Sequence, residues 1–214
     1  MKPLLLVLMV FFSLNAFSKH NEPLLSVIPV SKLVSSLELK LKKSPKDASL
    51  LFELARSYSY ASVFDDVQVY PKKLTEVYIE NPSIIIYWLD ANARTDSKAV
   101  DNLKKSILYY TEAIKLNPKE TRFYVGRGWA NRELNNLSKA KRDFVFVIDQ
   151  LKPKTNRPKG VSKWDPENSN VESYSALYEA SKYLRPLLNE GKDSELLEKA
   201  SVIIKAFRPP VVND

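Results

Sequence analysis

Apolar positions in this chain recur at spacings of three and four residues, the period of a helix with one buried face. These runs stop at prolines. "KKSPKD" contains Pro45, "IENPS" Pro82, "KLNPKE" Pro118 and "QLKPK" Pro153, at spacings of 37, 36 and 35 residues. Proline cannot continue a helix, so each marks an end. The pattern predicts a leading helix over about Val30 to Lys43 and a helix through "ASLLFELARSY". A short helix is expected from Pro71 to Glu80, and further ones through "IIYWLDANA" and "SILYYTEAIKLNP". Two more flank "ELNNLS". "ASVFDDVQVYP" reads as an irregular turn, with the adjacent acids Asp65 and Asp66 solvated in it. After Pro153 the periodicity lapses through a proline-rich connection and resumes from Val171 as a final helical pair. Gly191 stands past the first of these helices, and Asp193 or Ser194 at the start of the second.

A period in the mid-thirties with helices between the prolines is a repeat signature. The stretch from Thr121 carries it most clearly, with Tyr124, Gly128, Ala140 and Phe144 at its fourth, eighth, twentieth and twenty-fourth positions. This resembles the tetratricopeptide repeat, a helical hairpin with aromatic and small residues at those places. Asn135 stands in the turn where that family usually has glycine, and asparagine is the next best residue for a left-handed conformation. Arg127 replaces a usual leucine and Val147 a small residue. The preceding unit matches through Ser106, Tyr110, Ala113 and Pro118, and the one before through Leu51, Leu54, Ala55 and Tyr58.

The resemblance implies an all-α protein, a right-handed α-α superhelix of about three such hairpins with a C-terminal helical cap. It assigns residues 45–153 to repeats, 19–44 to a leading segment, 154–170 to an exposed linker and 171–214 to the cap and tail. It also implies a concave surface lined by first helices, where family members hold a peptide or partner helix. The corresponding positions are Arg122, Val125, Gly126, Trp129 and Arg132 in the best unit. Phe52 and Arg56, with Ser49, Glu53 and Ser59, correspond in the first unit, and Leu89 and Asp90 in the middle one. Trp129 between Arg122 and Arg132 has the composition of an interface anchor.

"VGRGW" also has the outline of a phosphate loop, but such a loop needs a preceding strand and a third glycine, and position 131 is asparagine. In the repeat register Gly128 lies inside a helix, where it permits close contact with the second helix. Gly126 would face the groove and leave a gap beside Trp129.

Composition narrows the function. The chain has 214 residues, 44% hydrophobic and 27% charged, with four glycines, thirteen prolines and no cysteine. The start, "MKPLLLVLMVFFSLNAFSKH", has Lys2, an apolar run from Leu4 to Leu14, and small Ala16 and Ser18 placed for cleavage after Ser18. This predicts an export signal over residues 1–18 and a periplasmic or secreted protein with no transmembrane span after cleavage. Without cysteine, lipoprotein anchoring and disulfides are both excluded. Cleavage would leave 32 basic and 25 acidic residues, a balance favouring partners of acidic character or an anionic envelope surface. Export argues against nucleic acid. One basic patch comprises Lys139, Lys141, Arg142, Lys154, Arg157 and Lys159.

The single histidine, His20, lies near the start, so Ser-His-Asp, Cys-His and ordinary zinc sites are not expected. Neither a catalytic residue nor a cofactor or metal site is expected. The reading is a non-catalytic interaction scaffold. Its rivals are an inhibitor or immunity-type protein acting on one enzyme or toxin, and a glycan-acting enzyme on a helical scaffold.

Overall fold

A computed structural model describes residues 26–69, 92–151 and 171–207. The expected signal, His20, the helix over Pro71–Glu80, "IIYWLDANA" up to Ala91, and the linker 154–170 lie outside them, while Asn92 and Ala93 are described and not helical. The described chain is mostly helical: α1 (Val30–Lys43), α2 (Ala48–Ala61), α3 (Ser97–Leu116), α4 (Thr121–Glu133), α5 (Leu137–Gln150), α6 (Val171–Leu184) and α7 (Ser194–Phe207). Two short strands, β1 (Ser26–Pro29) and β2 (Asp66–Val69), pair antiparallel with Ser26 opposite Val69 and Pro29 opposite Asp66. The mostly helical chain agrees with the all-α expectation, and the departure is local: "DVQV" is a strand rather than an irregular turn. Val30 N–H donates to the Asp65 carbonyl at 2.8 Å, so the ribbon ties the start of α1 to the chain leaving α2.

Local signals set the helix ends. In α1, Val30, Leu33, Val34 and Leu37 are buried at helical spacing against Leu54 and Tyr58 of α2. The Asp47 carboxylate caps α2 by accepting from Ser49 and Leu50 N–H at 2.8 and 3.1 Å. Asp96 caps α3 through Ala99 N–H at 2.9 Å, and Glu120 caps α4 through Arg122 N–H at 3.1 Å.

The helices pack as consecutive neighbours: α1 on α2, α2 on α3, α3 on α4, α4 on α5, α5 on α6 and α6 on α7. In addition, α4 touches both α2 and α6. The match of α2 to an earlier unit than α3 had set them one repeat apart, yet they pair directly. Ser59 and Ser106 hydroxyls are hydrogen-bonded at 2.7 Å, and Leu51, Phe52 and Ala55 share a core cluster with Tyr110 and Ala113. The chain leaves α2 at Ser62 and returns to the same place, where Arg94 N–H donates to the Ser62 carbonyl at 2.9 Å.

Helix α4 is the hub. Thr121, Phe123, Val125, Gly126, Gly128, Trp129, Ala130 and Asn131 are all buried. Residues two apart on a helix point to nearly opposite sides, and the two glycines do so here. A Cβ on Gly128 would lie 2.6 Å from Phe144 of α5, the close approach expected from the sequence. A Cβ on Gly126 would overlap the ring of Tyr110 on α3. Gly126 therefore leaves no gap in a groove. It is a second contact point between helices.

Arg127, between the glycines, donates to both carboxylate oxygens of Asp143 on α5 at 2.9 and 2.7 Å and to the Thr111 hydroxyl of α3 at 3.3 Å. The residue that breaks the repeat pattern thus joins three helices. Val147, the other departure, is fully buried beside Phe144.

The α4–α5 turn is a Schellman closure. Asn136 N–H donates to the Asn131 carbonyl at 2.8 Å and Asn135 N–H to the Arg132 carbonyl at 2.9 Å. Asn135 has φ 58°, the left-handed conformation expected of it. Asn135→Gly should hold or raise stability, whereas Asn135→Ala should lose up to about 1 kcal/mol, because alanine lacks the short polar side chain that eases this conformation for asparagine. Chemical denaturation of the two variants checks this, and equal stability would contradict it.

Candidate binding face

Among the described residues, α2 and α4 carry the groove residues that the sequence nominated. Phe52 of α2 is buried, in contact with Tyr110 and Phe123, with ring centroids 6.0 and 5.0 Å away. Two guanidinium groups lie over its ring, Arg56 at 5.3 Å and Arg122 at 5.5 Å. Each also has a carboxylate. Arg56 Nη1 donates to Glu53 at 3.2 Å, and Arg122 grips Glu120 with Nε and Nη2, both at 3.0 Å. The i, i+3 spacing of Glu53 and Arg56 is what lets them meet on one helix face.

Glu53 is 5% exposed. Burial raises its carboxyl above the usual carboxylate range, although Arg56 and Arg122 pull the other way. Tyr110, buried beneath the same pair of helices, has its phenol pushed up by burial.

A second aromatic–arginine contact joins α4 to α6. Arg132 lies 4.6 Å from the Tyr183 ring centroid and is paired with Glu133 at 2.7 Å. Glu133 also accepts Ala93 N–H at 2.7 Å, so it binds the returning chain as well.

The same packing corrects the groove assignment. Val125 and Trp129 are 0% and 3% exposed, in one core cluster with Ala176, Leu177, Ala180 and Tyr183 of α6. They are packing residues, because α6 lies over the face on which they stand. Phe52, at 8%, is likewise covered, and Ser59 is spent on Ser106. Arg56, Arg122 and Arg132 remain partly exposed, while Leu89 and Asp90 lie outside the described residues. Among the described residues the Trp129 indole N–H has no hydrogen-bond partner.

The basic patch divides. Lys139 and Arg142 are exposed on α5, but Lys141 bonds Asp193 at 2.7 Å and pins the α6–α7 connection to α5. The backbone N–H of Asn189 and the Lys141 ammonium hold the Asp193 carboxyl below its usual range. Lys154, Arg157 and Lys159 lie outside the described residues. Asp65 pairs with Arg94 at 3.0 Å and Asp66 opens β2, so these acids serve the ribbon.

Glu53 was expected only as a groove position, and neither it nor Glu120 was paired in advance with the arginine it holds. Glu53 three residues before Arg56, and Glu120 two before Arg122, were the available signals. Chemically the face offers guanidinium groups stacked on aromatic rings, a setting for carboxylate or aromatic side chains of a partner. Among the described residues no cluster of three or more acidic, histidine or cysteine side chains is placed to hold a metal ion. No helix among them is long and apolar enough to cross a membrane.

Comparison with protein-family models, with curated proteins and with solved structures finds no match to this chain.

Because the Glu53 carboxyl is raised in the folded state, the native protein binds more protons than the unfolded chain above pH 4.5. Stability then falls as pH rises from 4.5 through the folded value. Wild type should gain stability relative to Glu53→Gln as pH falls from 7 towards 4.5, as read by denaturation at each pH. A relative loss over that range would contradict the assignment.

Proposed function

We propose that this chain is a non-catalytic protein-binding scaffold of tetratricopeptide-like hairpins, exported to the periplasm or the extracellular space. The hairpins would be α2–α3, α4–α5 and α6–α7, with α1 as a leading half-unit and the last pair as cap. The observation that carries the reading is the position of α4. It packs against the first helices α2 and α6, while α5 closes on it through Gly128 and Phe144. A row of first helices with second helices behind is the stacking by which helical repeats complete one another's cores.

Binding would use the rim that remains accessible on those first helices. Arg56 and Arg122 on one side, and Arg132 on the other, would receive acidic or aromatic side chains of a peptide or partner helix. Buried Trp129 and Val125 would support this surface from beneath. The fold licenses an interaction role by analogy, and the arginine–aromatic stacks give that role a chemistry. Export is supported by the basic start, the apolar run Leu4–Leu14 and the small residues before Lys19, and the absence of cysteine argues against a lipoprotein.

Photo-crosslinking tests the binding side without disturbing the core. A benzoylphenylalanine at Arg122 or Arg132 should capture a discrete partner from the native envelope fraction. The same probe at Lys104 or Leu108, both exposed on α3, should capture none. Capture from α3 alone would overturn the choice of face.

A further inference from the structure

Among the described residues, nothing packs on one face of α1. Lys32, Ser35, Leu39, Lys42 and Lys43 follow one another at helical spacing on the side opposite the buried Val30, Leu33, Val34 and Leu37, and all five are exposed. The stripe runs for about 16 Å at 1.5 Å per residue. Lys46 extends it into the next turn. Among the described residues Lys32, Lys42, Lys43 and Lys46 form no ion pair. Of the acids near α1, Asp65 and Asp66 lie beside its start, with Asp65 paired to Arg94, and the other two are turned inward. Glu38 accepts the Tyr58 hydroxyl at 2.6 Å, and Asp47 caps α2. At the middle of this cationic stripe stands Leu39, an aliphatic side chain left 61% exposed.

From this arrangement we infer that α1 docks, side on, against an anionic lipid bilayer. Lysines near a negatively charged leaflet are attracted over about a Debye length. A leucine between them reaches the boundary between headgroups and acyl chains, as in interfacial amphipathic helices. A soluble polyanion would use the lysines but gain nothing from Leu39, so the exposed leucine favours a lipid surface. Salt should weaken the attachment. The inference does not rest on the arginine face of α2 and α4. It is also distinct from the basic segment beginning at Lys139.

The test uses the full chain with vesicles of phosphatidylcholine alone, or with about one third phosphatidylglycerol, as an anionic surface. Any contribution of the apolar run near the start is common to both vesicles, so the ratio of the two affinities reports the stripe. Lys42→Gln with Lys43→Gln should reduce that ratio about 25-fold, since each lysine near such a surface contributes a factor of about five. Lys98→Gln with Lys119→Gln removes the same charge from exposed sites elsewhere that form no ion pair among the described residues, and should change the ratio by less than about twofold. Lysines in the last turn also favour the α1 dipole, so Lys32→Gln serves as a control from the first turn. It should weaken the ratio about fivefold without lowering the melting temperature. Leu39→Ser should weaken binding to anionic vesicles yet leave binding to soluble polyphosphate unchanged.

Equal effects of the two lysine pairs would overturn the inference, because overall charge would then explain binding. An inert Leu39→Ser would replace the bilayer by a soluble polyanion.

Discussion

The close packing of α3 and α5 on α4 depends on the absence of two side chains on α4. Gly126 and Gly128 lie on opposite sides of the helix, and each admits an aromatic ring into the space a Cβ would fill, Tyr110 from α3 and Phe144 from α5. Glycine within a helix costs about 1 kcal/mol relative to alanine. Burying an aromatic ring returns more than that, of order 3 kcal/mol, provided the ring can be seated. A "GRG" segment here is therefore a bilateral packing device, and the outline of a nucleotide loop is a coincidence of composition. With both rings in place, α3 and α5 approach α4 closely enough for Arg127 to bond Thr111 and Asp143 together.

The polar groups around this hub follow from how closely the helices approach. Asp143, 6% exposed, is tolerated because Arg127 supplies two donors in a matching fork. Glu53 and Arg56 occupy a similar position between α2 and its neighbours, at a cost in desolvation that the raised carboxyl registers. At the far end, Lys141–Asp193 and Lys199–Asp149 join α5 to the last hairpin, the second of these largely in solvent and worth little by itself. The apolar contact of α6 with Trp129 and Val125 holds that hairpin, and the ion pairs fix where it rests.

Much of this was legible in the sequence, unevenly and for physical reasons. The bounds of α1 could be read because its buried positions keep the helical period up to the break at Pro45. The α4–α5 hairpin could be read because Gly128 and Asn135 each have a local task, a close contact and a left-handed φ. The strands β1 and β2 could not, since four residues give too short a period to distinguish from a turn. The partnership of α2 with α3 was hidden by a long excursion, because sequence order says nothing of where a chain returns. Trp129 is the most instructive case. The resemblance put it on the groove side of a first helix, and the position of α6, which no local pattern reveals, is what covers that side. Gly126 had a partner in Tyr110, sixteen residues away on another helix, which no local pattern could reveal.

A double-mutant cycle between Gly126 and Tyr110, read by equilibrium unfolding, addresses the hub most directly. Gly126→Ala in the wild-type background should destabilise by about 1–3 kcal/mol, the usual cost of overpacking. Tyr110→Leu removes the three side-chain atoms that the new Cβ would meet, two ring carbons and the hydroxyl oxygen. In that background Gly126→Ala should become neutral or stabilising by up to about 1 kcal/mol, the helix preference of alanine. The same change in stability in both backgrounds, or stabilisation by Gly126→Ala alone, would contradict the account.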